Sequence, residues 1–267
     1  MDMMGYWALY ALAGAVAGVL AGLLGVGGGI VIVPVLSVLF AWQHMPAEHL
    51  MQMALGTSLA SIMFTSLSSM RAHHRHGAVR WGVVKAIAPG IVAGTLAGSY
   101  LASILTTGFL KGFFVCFLYY VSVQMFLNFK PKPSREMPAA AGMFGAGGFI
   151  GFISALVGIG GGTLSVPFMA WCNIPLHQAV GTSAAIGFPI ALAGTVGFIV
   201  NGLGKAGLPP DTLGYLYLPA LIGLVLCSML TAPTGARIAH KLPVAKLKRV
   251  FSVFLFLMAT RMLLQIL

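Results

Sequence analysis

A triple glycine inside an apolar run constrains this chain more than any other feature. GVGGGIVIVP at residues 25–34 returns as GIGGGTLSVP at residues 158–167, so the chain carries a duplicated unit. Three glycines interrupt a helix, and loose backbone is tolerated at membrane depth only where protein or a water-filled cavity surrounds it. The glycines are therefore expected to line something.

The runs around them set the class. With 59% hydrophobic and 7% charged residues and a mean hydropathy of +0.97, the chain has too little polar surface to wrap a soluble globule. A helix needs about 20 apolar residues to cross the hydrocarbon core, and 267 residues hold about eight such segments and no soluble catalytic domain. An integral, polytopic, all-α membrane protein is expected. The net charge of +11 resides in short loops, where the positive-inside bias places it, so nucleic acid is not an expected partner. Cys116, Cys172 and Cys227 lie in apolar runs without CxxC spacing and read as small buried hydrophobes. Asp2 is the only early charge and no cleavage pattern follows, so the first apolar segment is expected to be retained.

In chain order the apolar segments are residues 5–42, broken by GVGGG, then 50–70, 81–105 and 110–129. The basic, proline-rich KPKPSREMP then divides the chain into residues 1–130, a connector at 131–140, and residues 141–267. The second half replays the order with residues 141–170, broken by GIGGG, then 175–201, 213–234 and 247–267. GTS opens the second segment of each half (Gly56, Thr57, Ser58 and Gly181, Thr182, Ser183), and Leu-Lys opens the last (Leu110 and Leu247). Gly90, Gly94 and Gly98 form a small-residue stripe that lets another backbone come close.

Positive charge clusters at Arg71, Arg75, Arg80 and Lys85, in the connector (Lys130, Lys132, Arg135), and at Arg237, Lys241, Lys246, Lys248 and Arg249. If all three clusters are cytoplasmic, equivalent loops face opposite sides and the halves are inverted repeats of about four apolar segments. Each glycine-broken opening segment must then be re-entrant or in two parts. Parallel halves would leave one basic cluster outside.

A helix that restarts after a break offers unpaired N–H groups and a positive dipole end, which suits an anion. Gly27, Gly28 and Gly29 with Gly160, Gly161, Gly162 and Thr163 are thus candidate halves of one substrate site. Thr57, Ser58, Thr182 and Ser183 bring hydroxyls able to donate to oxyanion oxygens, or to bond between helices. Gln52, Asn173, His177 and Gln178 are weaker candidates. Arg261, aligned with Gln124 of the first half, is either an intramembrane functional charge or a snorkelling one. His73, His74 and His76 have a spacing compatible with a metal-dependent membrane enzyme, but basic neighbours and the lack of a carboxylate oppose a cation. No metal, cofactor or catalytic residue is assigned. The acidic residues Asp2, Glu48, Glu136 and Asp211 all fall at termini or in loops, and no phosphate-binding loop exists. The membrane potential, worth about 2.3 kcal/mol per charge per 100 mV, remains to drive an anion outward.

GLLGVGGGIVIVPVL, its echo GFISALVGIGGGTLSVPFM and the paired GTS resemble the TauE/SafE sulfite exporter family of membrane permeases over nearly the whole chain. The resemblance implies outward transport of sulfite, thiosulfate or organosulfonates across the bacterial inner membrane. It matches the motifs at Gly25, Gly27 to Gly29, Gly56 to Ser58, Gly158, Gly160 to Gly162 and Gly181 to Ser183. A permease or channel for another small solute is the alternative, and oligomeric state is left open, a homo-oligomer included. GGG and GTS stand eight residues further apart in the first half than in the second.

Overall fold

A computed structural model describes residues 3–24, 28–127, 134–239 and 244–265. Among the described residues ten helices follow one another: α1 Met3–Leu24, α2 Gly29–Trp42, α3 Leu50–Arg75, α4 Trp81–Ile104, α5 Thr107–Phe126, α6 Ala140–Val157, α7 Gly162–Trp171, α8 Leu176–Gly202, α9 Leu218–Ala239 and α10 Val244–Leu264. The sole β element among the described residues is an antiparallel pair, Thr212–Leu213 (β1) with Leu216–Tyr217 (β2). Among the described residues seven helices are long and apolar enough to span a bilayer. The chain is an all-α polytopic membrane protein.

Helix ends follow local chemistry. α5 begins at Thr107, three residues before the apolar run suggests, because the Thr106 side chain accepts the N–H of Phe109 at 3.3 Å. α9 begins at Leu218 and not near residue 213, because Pro209, Pro210 and Gly214 (φ 57°) fold residues 209–217 into a turn carrying β1 and β2. α2 and α7 end alike. Met45 donates to Phe40 (3.0 Å) and His44 to Ala41 (3.1 Å), as Ile174 does to Met169 (3.0 Å) and Asn173 to Ala170 (3.2 Å). His44 (φ 54°) and Asn173 (φ 65°) are the left-handed residues of these two Schellman turns.

The two halves pack reciprocally. α1 lies along α9 as α6 lies along α4; α3 crosses α8 at the centre; α5 pairs with α10; α2 leans on α3 as α7 does on α8. The α4/α6 contact is the close approach that Gly90, Gly94 and Gly98 foreshadow. A Cβ on Gly90, Gly94 or Gly98 would run into the carbonyls of Phe144, Gly148 and Phe152, while Gly147 and Gly151 of α6 face the carbonyls of Ile87 and Ile91. Gly14 and Gly18 of α1 meet the carbonyls of Leu224 and Ser228 in the same way. Backbone cannot move aside as a side chain can. Gly94→Ala is therefore expected to lower the thermal unfolding midpoint in detergent by the equivalent of about 1–3 kcal/mol. Gly108→Ala, with nothing within 4 Å of the added carbon, is expected not to lower it.

Candidate functional site

Each half opens with a helical hairpin whose second arm is short. Tyr6 donates to the Trp42 carbonyl (3.4 Å) and Gln43 to the Tyr10 hydroxyl (2.6 Å), so α2 runs back along α1. In the second half the N–H of Ser134 donates to the Trp171 carbonyl (3.3 Å), and the Arg135 guanidinium lies 4.8 Å above the Trp171 ring. α7 thus returns to where α6 begins. The long arms have spanning length, at 22 and 18 residues, whereas α2 and α7 have 14 and 10 and start part-way through the bundle.

Those starts are built identically. Gly28 (φ 80°, ψ −12°) and Gly161 (φ 74°, ψ −8°) occupy the N-cap in the left-handed region that only glycine enters freely. The Gly28 carbonyl accepts the N–H of Val31 and Ile32 (3.0 and 3.2 Å), and the Gly161 carbonyl those of Leu164 and Ser165 (3.0 and 2.8 Å). Neither terminus carries a side-chain cap. The first amides of both helices are left for a partner from outside the helix, and the dipole there is worth about half a positive charge.

The start of α2 meets the glycine break of the second half where α6 ends, four residues before α7 begins. Gly29 abuts the carbonyl of Gly158 and Ile62 of α3, and Gly158 lies against Leu55 and Val33. The Ser58 hydroxyl donates to the Gly158 carbonyl at 2.8 Å. Gly187 of α8 faces the Gly160 carbonyl and Ser66 of α3, and Gly161 faces Ile190, Ile150 and Ser154. Ile62 and Ile190 stand near the midpoints of α3 and α8, so the meeting point is at mid-depth. Gly28, Gly29, Gly160, Gly161, Gly162 and Thr163 are all buried. Gly27, with Gly25 and Val26, lies outside the described residues.

Buried hydroxyls line the helices that meet here, with Ser154 against Gly161 and Ser66 against Gly187. Ser154 of α6, Thr163 and Ser165 of α7, Thr95 of α4, and Ser61 and Ser69 of α3 are buried with side-chain oxygens lacking a hydrogen-bond partner. An unmet buried polar group costs about 1–3 kcal/mol, so this concentration is expensive in a protein that only needs to pack. Ser58, Ser61, Thr65 and Ser69 continue it as a stripe along α3. Among the described residues no Asp, Glu, Lys or Arg is fully buried. The zone offers donors and helix ends, without a fixed countercharge.

The GTS threonines are engaged elsewhere. Thr57 accepts the backbone N–H of Tyr217 (3.0 Å), and Thr182 accepts that of Arg80 (3.0 Å). Each bond ties one half to the segment leading into a long helix of the other, and Gly56 and Gly181 supply the clearance against Leu216 and Ala78. Thr57 lies near the start of α3 and Thr182 near the start of α8, so the two ties sit at different ends of the α3/α8 pair. Ser183 donates to the Val180 carbonyl (2.8 Å). Arg261 is exposed in the last turn of α10 and does not join the cluster, which fits the snorkelling alternative. Gln52 bonds the Leu105 carbonyl (2.8 Å), Gln178 accepts from the Arg80 guanidinium (2.6 Å), Asn173 serves its Schellman turn, and His177 is exposed. His73 reaches the Gly22 carbonyl (3.0 Å), and His74 accepts from the Trp81 indole (3.3 Å). Among the described residues no group of three His, Cys, Asp or Glu gathers as a metal site.

Known proteins resemble the chain over nearly its whole length. The family model described as "Sulfite exporter TauE/SafE" matches residues 10–262. A probable membrane transporter protein of Haemophilus influenzae is 38% identical over 256 residues, covering 95% of this chain and 97% of that one. Another of Methanocaldococcus jannaschii is 27% identical over 96% of this chain and 95% of its own. YunE of Bacillus subtilis, also a probable membrane transporter protein, is 30% identical over 71% and 77%. No solved structure matches the chain. Spanning helices, a doubled glycine break and a family match over nearly the whole length lead to one conclusion: this chain is a membrane transporter of the TauE/SafE sulfite exporter family.

Proposed function

We propose that the protein is a secondary transporter that carries small sulfur-containing oxyanions, such as sulfite, thiosulfate or organosulfonates, outward across the bacterial inner membrane. The observation that carries this reading is the pair of glycine-capped, side-chain-uncapped helix starts buried at mid-depth among unpartnered hydroxyls. Two dipole ends and several neutral donors favour a small anion while leaving its charge uncancelled, so it can leave again. The family model's description supplies the sulfur chemistry.

The opening hairpins support inversion. Because α2 returns along α1, and α7 along α6, each half makes an odd number of net passages, and the second half starts on the side opposite the first. In this reading Arg71, Arg75, Arg80, Arg135, Arg237 and Arg249 share one side, which the positive-inside bias makes the cytoplasmic one. Gly29 and Gly158 close tightly on each other here, so passage requires the halves to part, first at one end and then at the other. The Thr57 and Thr182 ties are placed to be those two gates.

With no buried carboxylate to relay protons among the described residues, voltage is the expected drive. In proteoliposomes with a clamped potential, efflux of labelled sulfite or thiosulfate is expected to rise as the interior becomes more negative. Flux indifferent to voltage but strictly dependent on a proton gradient would overturn this drive.

A further inference from the structure

A pocket away from the glycine breaks opens where the C-terminal end of α2 meets the turn before α9. Its volume of about 660 Å³ falls in the range of small-molecule sites. Tyr6, Trp42 and Tyr217 line it together with the Asp211 carboxylate, and Pro209 and Pro210 form a stiff wall. Neither Lys nor Arg lines it, in a chain of net charge +11, and His44 is the one basic side chain in its lining. No ion pair engages Asp211 among the described residues. The pocket is braced from below: Tyr6 donates to the Trp42 carbonyl, Gln43 to Tyr10, and the Phe40 ring meets Tyr217 edge-on at 5.6 Å.

We propose that this pocket binds an organic ammonium group, held by the Asp211 carboxylate with the faces of Trp42, Tyr6 and Tyr217 around it. Aromatic faces attract a weakly hydrated cation, and a carboxylate among them adds charge without demanding full desolvation. Burial, and then the neighbouring carboxylate of Asp211, push the Tyr217 hydroxyl up, so its ring stays neutral. In the orientation proposed above the pocket faces the extracytoplasmic side, so the cation arrives from outside the cell. The site stands on its own lining residues and does not depend on which anion is carried.

The test is isothermal titration of the purified full-length protein with tetramethylammonium chloride, with sodium chloride at equal ionic strength as reference. Saturable binding is expected. It should weaken about two- to fivefold in Asp211→Asn and in Trp42→Leu and persist in Asp211→Glu, as loss of one contact to a cation at a partly exposed site implies. Asn tolerates the left-handed conformation of residue 211 (φ 65°) as well as Asp does, so Asp211→Asn keeps the turn. A thermal midpoint within error of the parent's verifies this. Equal response to sodium, no saturable binding, or unchanged affinity in Asp211→Asn would each overturn the site. Oxyanion flux measured on the same preparations tests the transport reading separately.

Discussion

Gly28→Ala and Gly161→Ala are each expected to reduce oxyanion flux more than tenfold while leaving the protein assembled in the membrane. Both residues hold a positive φ, where a Cβ costs about 1–2 kcal/mol in backbone strain. The added carbon also meets a neighbour. At Gly28 it would lie 2.7 Å from the Ala17 carbonyl, which belongs to a spanning helix and cannot move, whereas at Gly161 it meets the far end of the Ile190 side chain. The first substitution is therefore expected to be the more damaging, and Ile190→Val is expected to restore part of the flux lost in Gly161→Ala but nothing in Gly28→Ala. The measurement is proteoliposome flux normalised to reconstituted protein. Wild-type flux in either single variant would show that the left-handed caps matter only for packing.

Removing the two ties is expected to open the molecule from opposite sides. Thr57→Val leaves the Tyr217 amide without its acceptor, and Thr182→Val does the same to the Arg80 amide. Either loss is worth about 1–3 kcal/mol against the closed form, or roughly a tenfold or larger shift in how often that end opens. A cysteine reporter at Ser165, on the first turn of α7, in a background lacking Cys116, Cys172 and Cys227, reads this with a membrane-impermeant thiol reagent applied to one face at a time. Thr182→Val should raise labelling from the cytoplasmic face and Thr57→Val from the other, with Thr→Ser at either position nearly silent. Increased labelling from the same face in both variants would mean that the ties are structural staples and not gates.

Much of this was legible in the residues. The doubled triple glycine located both helix starts, and the stripe of Gly90, Gly94 and Gly98 announced a close backbone neighbour, because both signals are local. The identity of that neighbour, α6, was not legible, since packing partners far apart in sequence leave no mark in a single chain. The GTS threonines show the same limit: a hydroxyl looks alike whether it faces a solute or the amide of Tyr217, about 160 positions away. The eight-residue discrepancy between halves resolves into two steps. α2 is longer than α7 by four residues, 14 against 10, and Gly56 stands ten residues after Pro46 where Gly181 stands six after Pro175, the difference lying mostly in the three-residue turn 47–49 before α3. The extra four residues of α2 are close to one helical turn of about 3.6 residues, so the ends of α2 and α7 keep their phase. The matching Trp42-to-Pro46 and Trp171-to-Pro175 spacing, which marks the ends of α2 and α7, was available in the sequence as a further repeat signal. The ammonium pocket was not, because its lining comes from three separate stretches of chain.

The central claim is that the starts of α2 and α7 together hold one anion between the halves. Anomalous diffraction from crystals of the protein saturated with selenite, a heavier analogue of sulfite, tests it most directly. A selenium peak is expected between the amides of Gly29 and Ile30 on one side and those of Gly162 and Thr163 on the other, within reach of the Ser154 hydroxyl. Selenium bound solely at the basic loops around Arg71 to Arg80 or Arg249, in a protein that still transports the anion, would contradict it.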